Sequence, residues 1–453
     1  MRKRTPEMKK TDIVIVGGSA AGLTAGITAK RHYPEKQVLL IRKEQQVLIP
    51  CGIPYIFGTV GSPEKNLIPD DVLSKNSIEL LIDEATELDC EKNEIKISGG
   101  ETIVYDRLIL ATGSLPAMVP VSGFQLDNVF PVFKDVAQLQ NMQKALQKVS
   151  DLVIVGGGFI GVEFADECKK VLSARVSIVE TLPRCLMLAY DEEFCARAEQ
   201  LLNDRGVTPL TNVKVTRLIG EKQVEGVELA DGKILPAQAV IVGIGATANI
   251  KLIKSTKLSI GHTGGIVVDR TQRTSDPRVF ACGDCAEKVS FFGGRPSALK
   301  LASIATAEAR IAGANLFGTR RENIGTIGVW STVIGETAFA TAGLTESLAA
   351  RQGYNYVVGL AEAVNRHPGG MPGAYPMKVK LIFEKHNGVI LGGQVMGDKA
   401  AGEVINAISA CIQRRMTAED IAMFQTGTHP ALTASPIAYQ FVNAAEAASA
   451  AMR

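Results

Sequence analysis

Leu152-Val153-Ile154-Val155-Gly156-Gly157-Gly158-Phe159-Ile160-Gly161 is a short apolar run closed by a complete G-x-G-x-x-G turn. The residues that follow read as a helix, and then as a second apolar strand, Val176-Ser177-Ile178-Val179-Glu180. In such a strand-turn-helix-strand unit Gly156 permits the tight turn, Gly158 lets backbone approach a pyrophosphate, and Gly161 allows close packing of helix on strand. The N-terminus of the helix that follows Phe159, Ile160 and Gly161 favours the ligand's negative charge. Glu180 stands 19 residues beyond Gly161. A carboxylate there accepts from a ribose 2′-hydroxyl and repels a 2′-phosphate, which predicts NADH in preference to NADPH. Arg184, close behind, keeps NADPH open.

A second unit lies upstream. Ile13-Val14-Ile15-Val16 leads into Gly17-Gly18-Ser19-Ala20-Ala21-Gly22, an Ala-rich helix to about His32, and Val38-Leu39-Leu40-Ile41. Ser19 occupies the place of the middle glycine, and small residues such as Gly18 and Ala21 surround it. Two such units about 140 residues apart predict two bound dinucleotides, a flavin and a nicotinamide exchanging hydride. Leu108-Ile109-Leu110-Ala111-Thr112-Gly113 and Val279-Phe280-Ala281-Cys282-Gly283-Asp284 read as short strands of the first fold, resumed after the second is inserted. Thr112 and Gly113 can offer backbone N–H groups to a ligand, and Asp284 can accept from sugar or ribityl hydroxyls. From about Gly325 the pattern changes to strands joined by turns, with Asn387-Gly388 as a hairpin signal, followed by helices over about 400–415 and 417–424. The predicted architecture is α/β: two Rossmann-like domains, FAD over 1–120 and 247–324 and NAD over 121–246, plus an α+β C-terminal dimerisation domain over 325–453.

Hydrophobic content of 46% and charged content of 21% describe a globular chain, and 49 basic against 47 acidic residues give no reason to expect nucleic acid. The basic start Met1-Arg2-Lys3-Arg4 precedes an apolar run of four residues, too short for a signal peptide. No uninterrupted apolar stretch is long enough to span a membrane. Eight scattered cysteines read as reduced thiols of a cytoplasmic protein. Cys51, in Leu48-Ile49-Pro50-Cys51-Gly52-Ile53-Pro54-Tyr55, follows the first nucleotide unit with no second cysteine close behind. It is the candidate reactive thiol beside a flavin, and a small buried turn residue is the competing reading. Cys282 and Cys285 form a C-x-x-C, but no second pair exists for a four-thiolate zinc site, so no metal is expected.

Together these motifs resemble the flavin-dependent pyridine nucleotide-disulfide oxidoreductases, over nearly the whole length. Within them they resemble the single-cysteine branch of coenzyme A-disulfide reductases, NADH oxidases and peroxidases, and NADH-dependent polysulfide reductases. The resemblance implies a homodimer with FAD in the first domain, NADH on one flavin face and the cysteine on the other. It makes Cys51 the nucleophile, Phe159 the aromatic covering the nicotinamide pocket, Glu163 a side chain near the nicotinamide, and Asp284 the acid on the flavin ribityl chain. The competing reading of Phe159 is core packing, and that of Glu163 a carboxylate complementing the helix dipole. Gly427-Thr428-His429-Pro430 looks like the glutathione-reductase branch, where a partner subunit's histidine protonates the leaving thiol, and makes His429 the general acid. His367 is a weaker candidate. Lys30 and Arg31 fall where coenzyme A-using members place cations for nucleotide phosphates, or simply end a helix.

Two departures matter. The first unit carries Ile41-Arg42-Lys43-Glu44 where flavin-binding domains of this family end the second strand on Glu, so Arg42 or Glu44 is assigned to the adenosine end. Ala20 stands where oxidases and peroxidases carry a histidine, which counts against oxygen or peroxide as oxidant. The implied reaction is NADH-dependent reduction of a small disulfide, polysulfide or coenzyme A persulfide through Cys51. An NADH oxidase, and a reductase of an electron-carrier protein with Cys51 passive, are the rivals.

Overall fold

The computed structural model describes residues 8–118 and 120–453. The basic start of the chain lies outside them. The chain divides into two compact units, one drawn from residues up to 118, 130–148 and 244–326, the other from 120–129, 149–243 and 327–453.

The first unit is built on the strand Met8–Val16, which pairs in parallel with Val38–Arg42 on one side and Thr102–Leu110 on the other. Glu79–Ile82 extends the sheet beyond Val38–Arg42, also in parallel. The resumed strand Val279–Ala281 joins Thr102–Leu110 in parallel, Val279 opposite Leu108. These strands read as continuous apolar runs because both sheet faces are covered: Ile13, Val14, Ile15, Leu39, Leu40 and Ile41 are wholly buried. The helices Ala20–His32 and Ala302–Asn315 share one face, burying Ala25, Ala29, Ala309 and Ala312. Their small residues set the closeness of approach, since a Cβ at Gly313 would lie 2.6 Å from the Ala25 carbonyl oxygen.

In the second unit Asp151–Val155 lies between Arg175–Val179 and Ala239–Val242, with Val207–Leu210 beyond Arg175–Val179, all parallel. The helix Phe159–Val171 follows the glycine turn. The same unit holds the antiparallel C-terminal sheet, in the order Val329–Ile334, Thr337–Gly343, Ile390–Gly397, Pro376–Glu384, Tyr356–Val364. Pro376–Glu384 and Ile390–Gly397 form the hairpin around Asn387-Gly388. Helices Ala401–Gln413 and Ala418–Ala422 then follow, and Gln440–Met452 ends the fold. Lys380, 4% exposed, meets Asp191 at 3.0 Å and Glu193 at 2.6 Å and also pairs with Glu346, so carboxylates from both parts of the unit neutralise one buried ammonium. No described helix is long and apolar enough to cross a membrane.

Candidate active site

Each glycine turn is built so that side chains are excluded where the chain crosses itself. Gly17 (φ +116°) and Gly156 (φ +108°) take a backbone conformation that L side chains avoid. A Cβ at Gly22 would stand 1.8 Å from the Gly17 carbonyl oxygen, and one at Gly161 would stand 1.9 Å from that of Gly156. Neither Ser19 nor Gly158 caps its helix with a side chain, so the first helical N–H groups face the turn. Space beside Gly158 is open, with nothing within 4 Å of a Cβ there. These uncapped turns and the open cradle fit dinucleotide pyrophosphates.

The Glu180 carboxylate accepts from Gly157 N (2.6 Å), Leu182 N (2.8 Å) and Thr181 Oγ1 (3.1 Å). Three of its roughly four lone-pair sites are thus engaged, and about one is left for a hydroxyl. Arg184 is committed elsewhere: its Nε donates to Glu192 and its Nη1 to Glu199, each at 2.8 Å.

Arg42 is held by its own loop. Only 3% exposed, it donates to both Asp70 oxygens (2.6 and 2.7 Å), to Glu44 O (2.9 Å) and to Gln45 O (3.1 Å). Its aliphatic stem fills the space a Cβ at Gly18 would need, 2.5 Å from Cδ. The guanidinium therefore organises its own loop, while the half-buried Glu44 contributes its carbonyl to Arg42. Asp70 escaped sequence reasoning because it lies 28 residues downstream in no recognisable motif.

Around the resumed strand, Thr112 Oγ1 donates to Asn249 O (2.7 Å), and Asn249 N donates to Gly113 O (2.9 Å), fixing that turn. Asp284 accepts from Ser114 Oγ (2.7 Å) and Lys134 Nζ (3.3 Å). Burial opposes its ionisation, but the charge on Lys134 and the Ser114 hydrogen bond hold its carboxyl below the usual range. Cys282 and Cys285 are wholly buried, and burial pushes both thiols up.

Cys51 is exposed, in a short 3-10 turn at Pro50–Gly52. Asn66, 4% exposed, staples that turn: its Nδ2 donates to Ile49 O (2.9 Å), and Ile49 N donates to Asn66 O (2.9 Å). A Cβ at residue 52 would lie 2.0 Å from Asn66 Oδ1. Gly52 thus makes room for Asn66, a reason the sequence did not reveal.

Phe159 is half-buried and stacks on Trp330 (5.9 Å, 17°), with Tyr190 at 5.9 Å on a tilted plane. Trp330, the one tryptophan of the chain, was missed because nothing ties it in sequence to the glycine turn. Glu163 accepts from Thr332 Oγ1 at 2.9 Å, and burial, helped by Glu167, pushes its carboxyl up to about 7. The Tyr190 hydroxyl is buried with no hydrogen-bond partner among the described residues.

His429 is exposed. Its Nδ1 accepts from Ala431 N at 3.2 Å, so in the neutral ring Nε2 carries the proton. His367 props this turn: its Nδ1 donates to Thr433 O (3.0 Å), its backbone N–H to Pro430 O (3.2 Å), and Arg366 Nη1 donates to Leu432 O (3.0 Å). Lys30 donates to Pro34 O (2.8 Å) and Lys36 O (2.9 Å), closing the helix end, whereas Arg31 is exposed. No cluster of metal-ligating side chains occurs among the described residues.

The chain carries two dinucleotide turns and an exposed thiol, the parts of a nicotinamide- and flavin-dependent oxidoreductase. Residues 11–309 match the pyridine nucleotide-disulphide oxidoreductase family and 329–437 its dimerisation domain, and the chain belongs to that family. Members use FAD and NAD(P)H. The chain is 29% identical over 423 residues to an NADH oxidase of Methanocaldococcus jannaschii, covering 90% of this chain and 92% of that protein. It is 31% identical over 425 residues to a CoA-dependent NAD(P)H sulfur oxidoreductase of Pyrococcus abyssi, covering 92% and 94%. A solved NAD-dependent persulfide reductase from A. fulgidus superposes with a TM-score of 0.89 at 28% identity, covering 97% of this chain and 83% of that one.

Proposed function

We propose that this enzyme is a homodimeric NADH-dependent reductase of a sulfur–sulfur bond in a small disulfide, polysulfide or coenzyme A persulfide. The observation that carries the proposal is exposure: of eight cysteines, Cys51 alone is exposed, on a turn clamped by buried Asn66. Burial raises the Cys90 and Cys411 thiols to about 11, and those of Cys168, Cys185 and Cys195 to about 12, which leaves them poor nucleophiles. The sulfur-reducing relatives support the substrate class.

Bound FAD and NADH would supply the electron pair that reduces the sulfur bond. Gly17, Gly22, Thr112, Gly113 and Asp284 would hold the flavin, and Gly156, Gly158, Gly161, Phe159, Glu163 and Glu180 the nicotinamide nucleotide. The Cys51 thiolate attacks the substrate disulfide, forming a new S–S bond to one sulfur as the other departs as thiolate. His429 of the partner subunit gives that thiolate its Nε2 proton. Two electrons then split the mixed disulfide, returning the Cys51 thiolate and releasing the second thiol on protonation. Exposed Met423, Phe424, Leu432 and Ile437 flank His429, an apolar surface suited to cover by a second subunit. Lys30, with two of its three donors on carbonyls, and the exposed Arg31 are the cations for a coenzyme A phosphate.

Cys51→Ser should abolish NADH-dependent reduction of coenzyme A disulfide and polysulfide while NADH still bleaches the flavin. Normal disulfide turnover by that variant would sink the mechanism. NADH consumption that tracks oxygen, with no thiol released, would establish the oxidase reading instead.

A further inference from the structure

Beneath the Cys282-Gly283-Asp284-Cys285 turn lies an ion pair that no step above uses. Lys288 and Glu308, with side chains 2% and 3% exposed, meet at 2.9 Å. The Lys288 ammonium also donates to Gly283 O and, at 2.9 Å, to Ala286 O, so all three of its protons are committed. Glu308 Oε2 accepts both Lys288 Nζ and Gly283 N, the latter at 2.9 Å. The pair therefore grips the N–H and the C=O of one residue, the glycine immediately before Asp284.

Gly283 needs such a grip. Its φ is +75°, and a Cβ would lie 2.8 Å from that of Ala21 and 3.5 Å from that of Ala305, so glycine is required between two helices. Glycine is also the residue with most conformational freedom to lose, and nothing in its own side chain aims the next residue. A buried ion pair is a poor source of stability compared with apolar packing, because both charges must leave water. Its value here is directional.

We propose that Lys288 and Glu308 are positioning residues that fix the direction of Asp284 and thereby the retention of FAD. The proposal rests on the assignment of Asp284 to the flavin made above.

The test uses the enzyme as purified with its flavin, reading the rate of FAD release by flavin fluorescence and, separately, the thermal midpoint. Glu308→Gln should speed FAD release at least tenfold. The double variant Lys288→Met, Glu308→Leu leaves Gly283 N–H, Gly283 O and Ala286 O without these partners, so its thermal midpoint should fall and it should lose FAD just as fast. Adding Glu308→Gln to Asp284→Asn should cause no further loss beyond Asp284→Asn alone. Wild-type retention by the apolar double variant would overturn the proposal, as would additive losses in the Asp284→Asn background. Should the apolar variant not fold, the Asp284→Asn comparison decides alone. A wild-type protein purified without FAD would instead bring down the parent assignment.

Discussion

The two glycine turns share one backbone solution and differ where a ligand would touch them. Gly22 and Gly161 face the same obstacle, a carbonyl oxygen 1.8 or 1.9 Å from a notional Cβ, and Gly17 and Gly156 share a positive φ. At the middle position the backbones also agree, Ser19 at φ −90°, ψ −164° and Gly158 at φ −76°, ψ −172°, yet one carries a side chain and the other does not. At the second strand the contrast is sharper. Arg42 is buried against Asp70 in the first unit, and Glu180 grips the turn itself in the second. Positions required by self-crossing of the chain are thus alike, and positions outside that crossing diverge.

The largest effect expected from this comparison is at the shared positions. Gly22→Val puts a Cβ 1.8 Å from the Gly17 carbonyl oxygen and adds two methyls to it, so the purified protein should contain no FAD. Gly161→Val should likewise abolish reduction by NADH while leaving FAD in place. Spectra of the two proteins check both outcomes. Retention of FAD by Gly22→Val would show that the turn can open, which the close packing denies.

Next in size is a difference within the two helices. Five residues after Gly158 the second helix carries Glu163, and five after Ser19 the first carries Thr24. Glu163 titrates near 7 instead of near 4.5, chiefly through burial. Between those values the folded protein keeps a proton that the unfolded chain has lost, so stability falls as pH rises from about 4.5 to about 7 and then levels off. At roughly 1.4 kcal/mol per pH unit the loss is about 3 kcal/mol. Glu163→Gln keeps an acceptor for Thr332 and removes the titration, so its thermal midpoint should exceed the wild type's at pH 8 and match it near pH 4.5. Equal midpoints at both pH values would mean that Glu163 is solvated and ionises normally.

A third test sets Glu180 against Arg184. Glu180→Ser removes the charge that repels a 2′-phosphate, and the NADH to NADPH ratio of kcat/KM should fall about tenfold, or about 1.4 kcal/mol. Arg184 stays tied to Glu192 and Glu199, so the variant should not become NADPH-selective. A ratio that inverts would show that Arg184 leaves those carboxylates for the phosphate.

The parts legible in sequence were those written in local pattern. The glycine spacing, the apolar strands on either side and the Asn387-Gly388 hairpin each depend on neighbours a few residues away. Asp70, Asn66, Trp330 and Thr332 were invisible because each meets its partner only after the chain has folded back across a sheet or loop, with no spacing rule to join them. Arg42 was visible as an anomaly but not as a solution, since its meaning depends on Asp70. Lys30 and His367 show the reverse: chemically suggestive residues whose hydrogen bonds go to the carbonyls of their own surroundings.

The smallest effect bears most directly on what separates the turns. Gly158 has negative φ and open space around it, so its own fold does not demand glycine. Ser19 occupies the equivalent place at nearly the same dihedral angles, which shows that serine is compatible with such a turn. Gly158→Ser should therefore leave the thermal midpoint within the scatter expected of a surface change, about 0.5 kcal/mol. If the open space is where the nicotinamide nucleotide's pyrophosphate approaches, the same variant should raise the KM for NADH about tenfold with kcat nearly unchanged, a loss of uniform binding. An unchanged KM would place the pyrophosphate away from residue 158, and the middle glycine would then be as dispensable in the second turn as Ser19 shows it to be in the first.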